Sequence, residues 1–280
     1  MTLPNFLVIG AMRSGTTWLD GVLRSHPAIY LPRRRKEIHF FSKYYDRGID
    51  WYQEFFPLPA KASEYSQIGE VTPVYIYSPE IPSRIKEHIP NCRFILILRN
   101  PAERAYSHYG FLVKNYAEQR SFQELLAQKS DVFLRGLYSQ QIKRYLQHFS
   151  LENFLILIYE EVMKNQEQAL SQLADFLSVD PNQFDPDIIK QKANTSGHVR
   201  FSKVRSLARG FRDFLRSKDL DWVWNVAKSS GIEQIFLTKG EPLPSIEPAV
   251  KIELLSKYES DIAALEELIS IDLNIWRKPC

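Results

Sequence analysis

The opening segment F6-L-V-I-G10-A-M-R-S-G15-T16-T17-W18 constrains this chain more than any other stretch. Its apolar run over residues 6–9 reads as a buried strand, and Leu19, Val22 and Leu23 fall on one face of the helix pattern that follows. Between the two runs a turn bounded by Gly10 and Gly15. A strand, a glycine-bounded loop and a helix N-terminus form an anion cradle, because backbone N–H groups and the helix dipole converge on one point. The Gly-x4-Gly spacing matches a nucleotide-binding phosphate loop, yet Thr16 stands where that motif needs Lys. The loop is therefore suited to phosphate but points away from ATP hydrolysis.

Three further runs are strand-like: 93–98 (R-F-I-L-I-L), 154–159 (F-L-I-L-I-Y) and a shorter one at 67–70. The long runs are nearly continuously apolar, as expected of strands covered on both faces. Helical patterns fall at about 16–25, 80–88, 102–114, 121–128, 137–148 and 166–177. The alternation predicts an α/β fold with a mostly parallel central sheet flanked by helices. From about residue 200 the pattern changes to helical stretches near 203–216 and 220–229. A segment with Pro242, Pro244 and Pro248 follows, then an amphipathic helix near 248–269. We read one domain: a nucleotide-binding α/β core over 1–200 and a helical C-terminal extension over 201–280 packed on it. The 280 residues can bury one large core of this kind.

A net charge of only +3 gives no global basic field, which argues against a nucleic-acid partner. The local exception is the run Arg33, Arg34, Arg35, Lys36, either a patch that receives an acidic acceptor or a solvated charged turn. Cys92 and Cys280 suggest neither a disulfide framework nor a zinc site. No signal peptide and no run of membrane-spanning length is visible, so the expected setting is the cytoplasm.

A second anion signal follows the run 93–98 and reads R99-N-P-A-E-R-A-Y-S107. Arg99 lies at the carboxyl end of a predicted central strand, where open α/β sheets bind ligands. A P-loop ATPase would place a magnesium-binding Asp at the end of such a strand. Pro101 suits a first helical turn, and Ser107 lies about two turns on, able to face the same cleft. Arginine suits bidentate phosphate binding, although Arg99 can also be a surface residue of a turn. A third signal is K36-E-I-H-F-F41. If it is extended, Glu37 and His39 share a face and can act as base and partner for a hydroxyl proton. Alternatively Glu37 is a surface residue and His39 a core one. A fourth, weaker signal is N194-T-S-G-H-V-R200, a loop able to close over phosphate or a plain turn before a helix.

In this order the motifs resemble those of sulfotransferases that use 3′-phosphoadenosine-5′-phosphosulfate (PAPS), over about residues 5–205. G10-A-M-R-S-G-T-T17 resembles the family's loop for the 5′-phosphosulfate, R99-N-P-A-E-R-A-Y-S107 its 3′-phosphate segment, and S196-G-H-V-R200 its later nucleotide loop. Y159-E-E-V resembles the stretch after the family's later strand. K36-E-I-H-F-F, G48-I-D-W-Y and E70-V-T-P-V-Y resemble the heparan-sulfate-type and bacterial branch, whereas T16-T-W18 is closer to the cytosolic branch. The resemblance implies a donor site made of Arg13, Ser14, Gly15, Thr16, Thr17, Arg99, Ser107, Gly197 and Arg200. It adds Trp18 either as a stacking surface for adenine or as simple core. It implies Glu37 as base, His39 as its assistant and Arg13 as the cation that stabilises the departing phosphate, with no metal. The implied reaction is sulfuryl transfer to a hydroxyl, less favourably an amine, of a saccharide or small molecule. Two departures stand out. Arg13 replaces the usual Lys, and Val71 occupies a position where heparan-type enzymes carry Lys, leaving Lys36 or Arg35 as substitutes. The rival functions are a small-molecule kinase with a P-loop-like site and a non-catalytic binder of nucleotides or anionic glycans. Tyr44, Tyr45, Trp51 and Tyr52 are candidates for a sugar site or for core.

Overall fold

The computed structural model describes residues 2–189, 202–223, 226 and 244–277. Five strands form one parallel sheet: β1 (Phe6–Gly10), β2 (Ile29–Tyr30), β3 (Gln67–Val71), β4 (Arg93–Leu98) and β5 (Phe154–Ile158), in the order β2-β3-β1-β4-β5. The continuous apolar runs become parallel strands because their backbones alternate side chains to two faces, and both faces are covered. In β1, Phe6 and Val8 enter one core with Leu19, Val22 and Leu23, whereas Leu7 and Ile9 enter the other. The edge strand β5 is the exception, its first three residues being only half-buried. The two-residue β2 carries too short a run to register as a strand; it exists because Ile29 and Tyr30 pair with Gln67 and Ile68.

Helices α1 (Thr16–Ser25) and α10 (Gln166–Leu177) cover the first face, and their limits match the periodicity of the sequence. Between them in the chain lie α2 (Gly48–Gln53), α3 (Pro59–Ala62), α4 (Ile81–His88), α5 (Pro101–Tyr116), α6 (Phe122–Ala127), α7 (Asp131–Leu134), α8 (Tyr138–Leu146) and α9 (Tyr159–Lys164). After α10 come α11 (Pro186–Ile189), α12 (Ser202–Ser217) and α13 (Pro248–Ile269). Helices α5, α8 and α13 pack together over the second face. There Leu254, Tyr258, Ile262, Leu265 and Trp276 share a core with Leu96 and Leu98. Of the second helical stretch expected in the tail, residues 221–223 and 226 are described and helical.

Strand β1 lies between β3 and β4; the chain runs from β1 out to β2, returns to β3 beside β1 and then crosses to β4, so the sheet order switches between β1 and β4. A ligand cleft opens at the carboxyl ends of strands at such a switch. Both candidate anion-binding segments of the sequence emerge there. The first loop needs glycine at its two ends for different reasons. A Cβ on Gly10 would lie 2.7 Å from Cγ2 of Ile76, and Gly15 has φ 93°, a left-handed conformation that costs glycine little.

Candidate active site

The first loop leaves β1 with Ala11 N–H donating to the carbonyl of Ile97 at 2.9 Å, which pins it to the end of β4. Helix α1 then starts at Thr16 with no side chain capping its N-terminus and no acid in its first turn. A helix start left in that state presents N–H donors and a positive dipole end to an anion. Ser14 and Thr16 are buried in the loop. Trp18 points inward, 5% exposed, into the core with Phe6, Val8 and Ile97. The structure thus places its indole in core packing, where little ring surface is open to a base.

The second segment folds as its sequence suggests. Asn100 caps α5 by accepting from the N–H groups of Ala102 (3.0 Å) and Glu103 (3.2 Å), and Pro101 takes the first turn. The Asn100 N–H donates to Glu160 at 2.9 Å, and Glu160 also accepts from the Trp276 indole at 2.9 Å. Burial pushes the Glu160 carboxyl up from its ordinary value. The helix carries Ser107 to the first loop, where Arg13 Nε donates to Ser107 Oγ at 3.2 Å. Arg13, itself left-handed at φ 73°, also lies over the Phe111 ring at 5.3 Å. The contact joins residues 94 positions apart and assembles the two anion signals into one site.

Around this junction positive charge is concentrated. Burial, then Arg99 and Arg104, hold the Arg13 guanidinium below its ordinary value, although an arginine stays cationic at neutral pH. Arg99 rests over the Tyr159 ring at 5.0 Å and reaches Glu103 at 3.4 Å, while its Nε is buried without a partner among the described residues. Arg104 is fully buried; one of its nitrogens donates to the Val132 carbonyl, and its Nε and Nη1 have no partner among the described residues. Burial, Arg104 and Arg135 push the His108 imidazole down to about 3, so it is neutral at physiological pH. Buried guanidinium donors left open are costly. The sequence singled out Arg99 and Ser107 but missed Arg104. Its signal was the i, i+3 spacing of Arg104 and Ser107, which puts both on neighbouring faces of α5.

The segment K36-E-I-H-F-F41 is not extended. Glu37 and His39 are both left-handed, at φ 57° and 62°, so the period-two expectation for their shared face does not apply. The side chains meet nonetheless, with His39 Nε2 3.5 Å from Glu37 Oε2. Ile38, Phe40 and Phe41 are fully buried and anchor the turn, leaving Glu37 42% exposed. Burial alone would raise the Glu37 carboxyl. The hydrogen bond from His39, with Lys36 and Arg216 nearby, outweighs it and holds Glu37 below its ordinary 4.5. Glu37 is thus an ionised carboxylate paired with an imidazole, an arrangement able to accept a hydroxyl proton.

The motif E70-V-T-P-V-Y supports this turn rather than lining the cleft. Glu70 is buried and accepts from the hydroxyls of Tyr52, Thr72 and Tyr75. Burial raises its carboxyl despite those bonds. Tyr75 in turn accepts from the Phe41 N–H at 3.3 Å, linking Glu70 to the backbone that carries His39. Tyr52 is fully buried, which removes it from the candidates for a sugar site.

The basic run is not a free patch. Arg35 is buried and donates to Asp221 through Nε (2.8 Å) and Nη2 (2.6 Å), with the rings of Tyr44, Trp51 and Phe55 around it at 5.3–5.6 Å. Arg34 faces Glu54, Asp219 and Asp221 within 3.7 Å. Lys36 turns the other way, its Nζ 3.5 Å from Thr17 Oγ1 on the phosphate loop and 3.6 Å from Asp20. Of the two proposed substitutes for a lysine at position 71, the geometry leaves Lys36 and removes Arg35. Gly197 and Arg200, with the later nucleotide loop, lie outside the described residues. Among the described residues no three His, Cys, Asp or Glu side chains gather to hold a metal, and no helix is long and apolar enough to cross a membrane.

A phosphate-type loop thus lies at the switch point of a parallel sheet, faced by arginines and lacking the lysine of an ATPase loop. The chain belongs to the sulfotransferase family: the profile of the Sulfotransferase domain matches residues 3–209. It is 40% identical over 138 residues to the membrane-associated sulfotransferase kil1 of Dictyostelium discoideum, covering 47% of this chain and 29% of that protein. It is 31% identical over 198 residues to human bifunctional heparan sulfate N-deacetylase/N-sulfotransferase 2, covering 64% of this chain and 22% of that one. The chain thus spans less than a third of the length of either relative. The crystal structure of a sulfotransferase from Alicyclobacillus acidocaldarius superposes with a TM-score of 0.70 at 26% identity, over 99% of this chain and 100% of that one.

Proposed function

We propose that this protein transfers a sulfuryl group from PAPS to a hydroxyl, less favourably an amine, of a saccharide or small molecule. The Arg13–Ser107 contact carries this reading, because it brings the 5′ and 3′ anion segments into one site. The donor's 5′-phosphate sits on the loop backbone of residues 13–17 and at the start of α1. Arg99 and Ser107, with Arg200 from the later loop, hold the 3′-phosphate, and Arg104 supplies positive potential behind them. Glu37 takes the acceptor proton, and His39 orients the carboxylate. Arg13 offsets negative charge that grows on the bridging oxygen as the S–O bond breaks.

A P-loop-like kinase is the weaker reading, since Thr16 replaces the loop lysine and Arg99 replaces an acid at the end of β4. A saccharide acceptor is favoured by the relative named as a heparan sulfate N-deacetylase/N-sulfotransferase. A cytoplasmic setting belongs to the same proposal and rests on the absence of a disulfide pattern in the sequence. The kil1 relative is named as membrane-associated, so cell fractionation tests this part.

Two measurements check the reading. Arg99→Ala should weaken binding of the spent donor, 3′-phosphoadenosine-5′-phosphate (PAP), by about ten- to a hundredfold, the worth of one charge-assisted contact. Calorimetric titration reads that shift, and unchanged PAP affinity would remove Arg99 from the site. The proposed chemistry uses arginines and backbone donors where a kinase uses magnesium. Turnover should therefore survive excess EDTA, and a strict magnesium requirement would count against it.

A further inference from the structure

Two cations stand at the phosphate loop, Arg13 within it and Lys36 from the neighbouring segment. Arg13 donates to Ser107, on the nucleotide side. Lys36 comes from the turn that carries Glu37, the residue it immediately precedes, with Nζ 3.5 Å from Thr17 Oγ1. Other cations are excluded from that second position by their own contacts. Arg35 is committed to Asp221 and the carbonyl of Arg216, and Arg34 faces Asp219 and Asp221. The end of β3 offers none, because Val71 is buried and apolar.

The present partner of Lys36 can release it cheaply. Asp20 already accepts from Arg24 through Nε at 3.1 Å and Nη2 at 3.2 Å. A shift of Nζ from Asp20, 3.6 Å away, toward the loop therefore leaves no carboxylate unpaired.

We propose that Lys36 is a further catalytic residue, which grips the sulfuryl oxygens on the acceptor side of the phosphate loop. This rests on the PAPS reading above. In the step it serves, the acceptor oxygen forms a bond to sulfur and its proton passes to Glu37. The bond from sulfur to the bridging oxygen breaks, and its electron pair stays on the 5′-phosphate of PAP. Lys36 faces the sulfuryl oxygens as they move from the loop toward the acceptor, while Arg13 faces the oxygen left behind. A cation aimed at oxygens in transit lowers the barrier more than one that contacts only the bound nucleotide.

PAPS carries the sulfuryl group and PAP does not, which gives a test that needs no acceptor. The dissociation constants of both are measured for the unmodified chain, Lys36→Met and Lys36→Arg. Lys36→Met should weaken PAPS by about ten- to a hundredfold and PAP by less than about twofold, with Lys36→Arg restoring most of the PAPS affinity. Equal weakening of both nucleotides, or no change in either, overturns the role of Lys36. An unmodified chain that fails to prefer PAP over ADP overturns the donor reading itself.

Discussion

Glu37→Gln is expected to lower turnover by about 10²–10⁴-fold, the usual contribution of a positioned general base. PAP affinity should stay within about twofold, because Glu37 pairs with His39 and takes no part in the Arg13–Ser107 contact. The substitution keeps size and hydrogen bonding and removes only the capacity to take a proton. A pH profile separates Glu37 from its neighbour. His39, Lys36 and Arg216 hold the Glu37 carboxyl below 4.5, so it is ionised above that pH and protonated only below it. The acid limb of kcat/KM should therefore lie below 4.5. A limb near the ordinary histidine value of about 6.5, together with an active Glu37→Gln, would transfer the base to His39.

Arg35→Ala is expected to destabilise the fold by about 3–5 kcal/mol, as is Asp221→Ala, because each strands a buried charge. Both side chains are almost wholly inaccessible and meet through two charge-assisted hydrogen bonds. Replacing both at once, as Arg35→Met with Asp221→Leu, removes the desolvation cost together with the attraction and should recover most of the loss. Urea unfolding of the three variants reads the difference; full additivity of the single losses would mean that the two groups do not act as a pair. The local consequence is as informative. Arg35 also donates to the Arg216 carbonyl, Arg47 pairs with Asp219, and the Trp51 indole donates to Asp219 at 3.2 Å. These contacts hold the end of α12 against the segment that carries Glu37 and bring Arg216 near that carboxylate. Faster amide exchange over 217–223 should accompany the loss of stability in Arg35→Ala.

Features with a local cause were legible in the sequence. The limits of α1, α10 and α13 follow from apolar periodicity, and β1 and β4 from unbroken apolar runs between turns. The two anion segments were legible because each is a strand end, a turn and a helix start written contiguously. Features made by distant partners were not. Nothing near Arg35 in the chain announces Asp221, 186 residues away, so a buried ion pair looked like a basic patch. Glu37 and His39 meet through two left-handed residues, a conformation that neither side chain signals. Trp18 in isolation fits both an adenine platform and a core; only the packing of α1 on Phe6 and Ile97 places it inside. Arg104 and Glu70 were passed over because a charged residue in a sequence is read as exposed, and their burial depends on partners from other elements.

The most direct measurement is calorimetric titration of the purified protein with PAP, with ADP and AMP as controls. A site built from the loop at Arg13–Thr17 together with Arg99 and Ser107 should bind PAP at least about tenfold more tightly than ADP, since only PAP carries the 3′-phosphate. Equal affinity for PAP and ADP, or no binding of PAP, would contradict a PAPS-dependent sulfuryl transfer at this site.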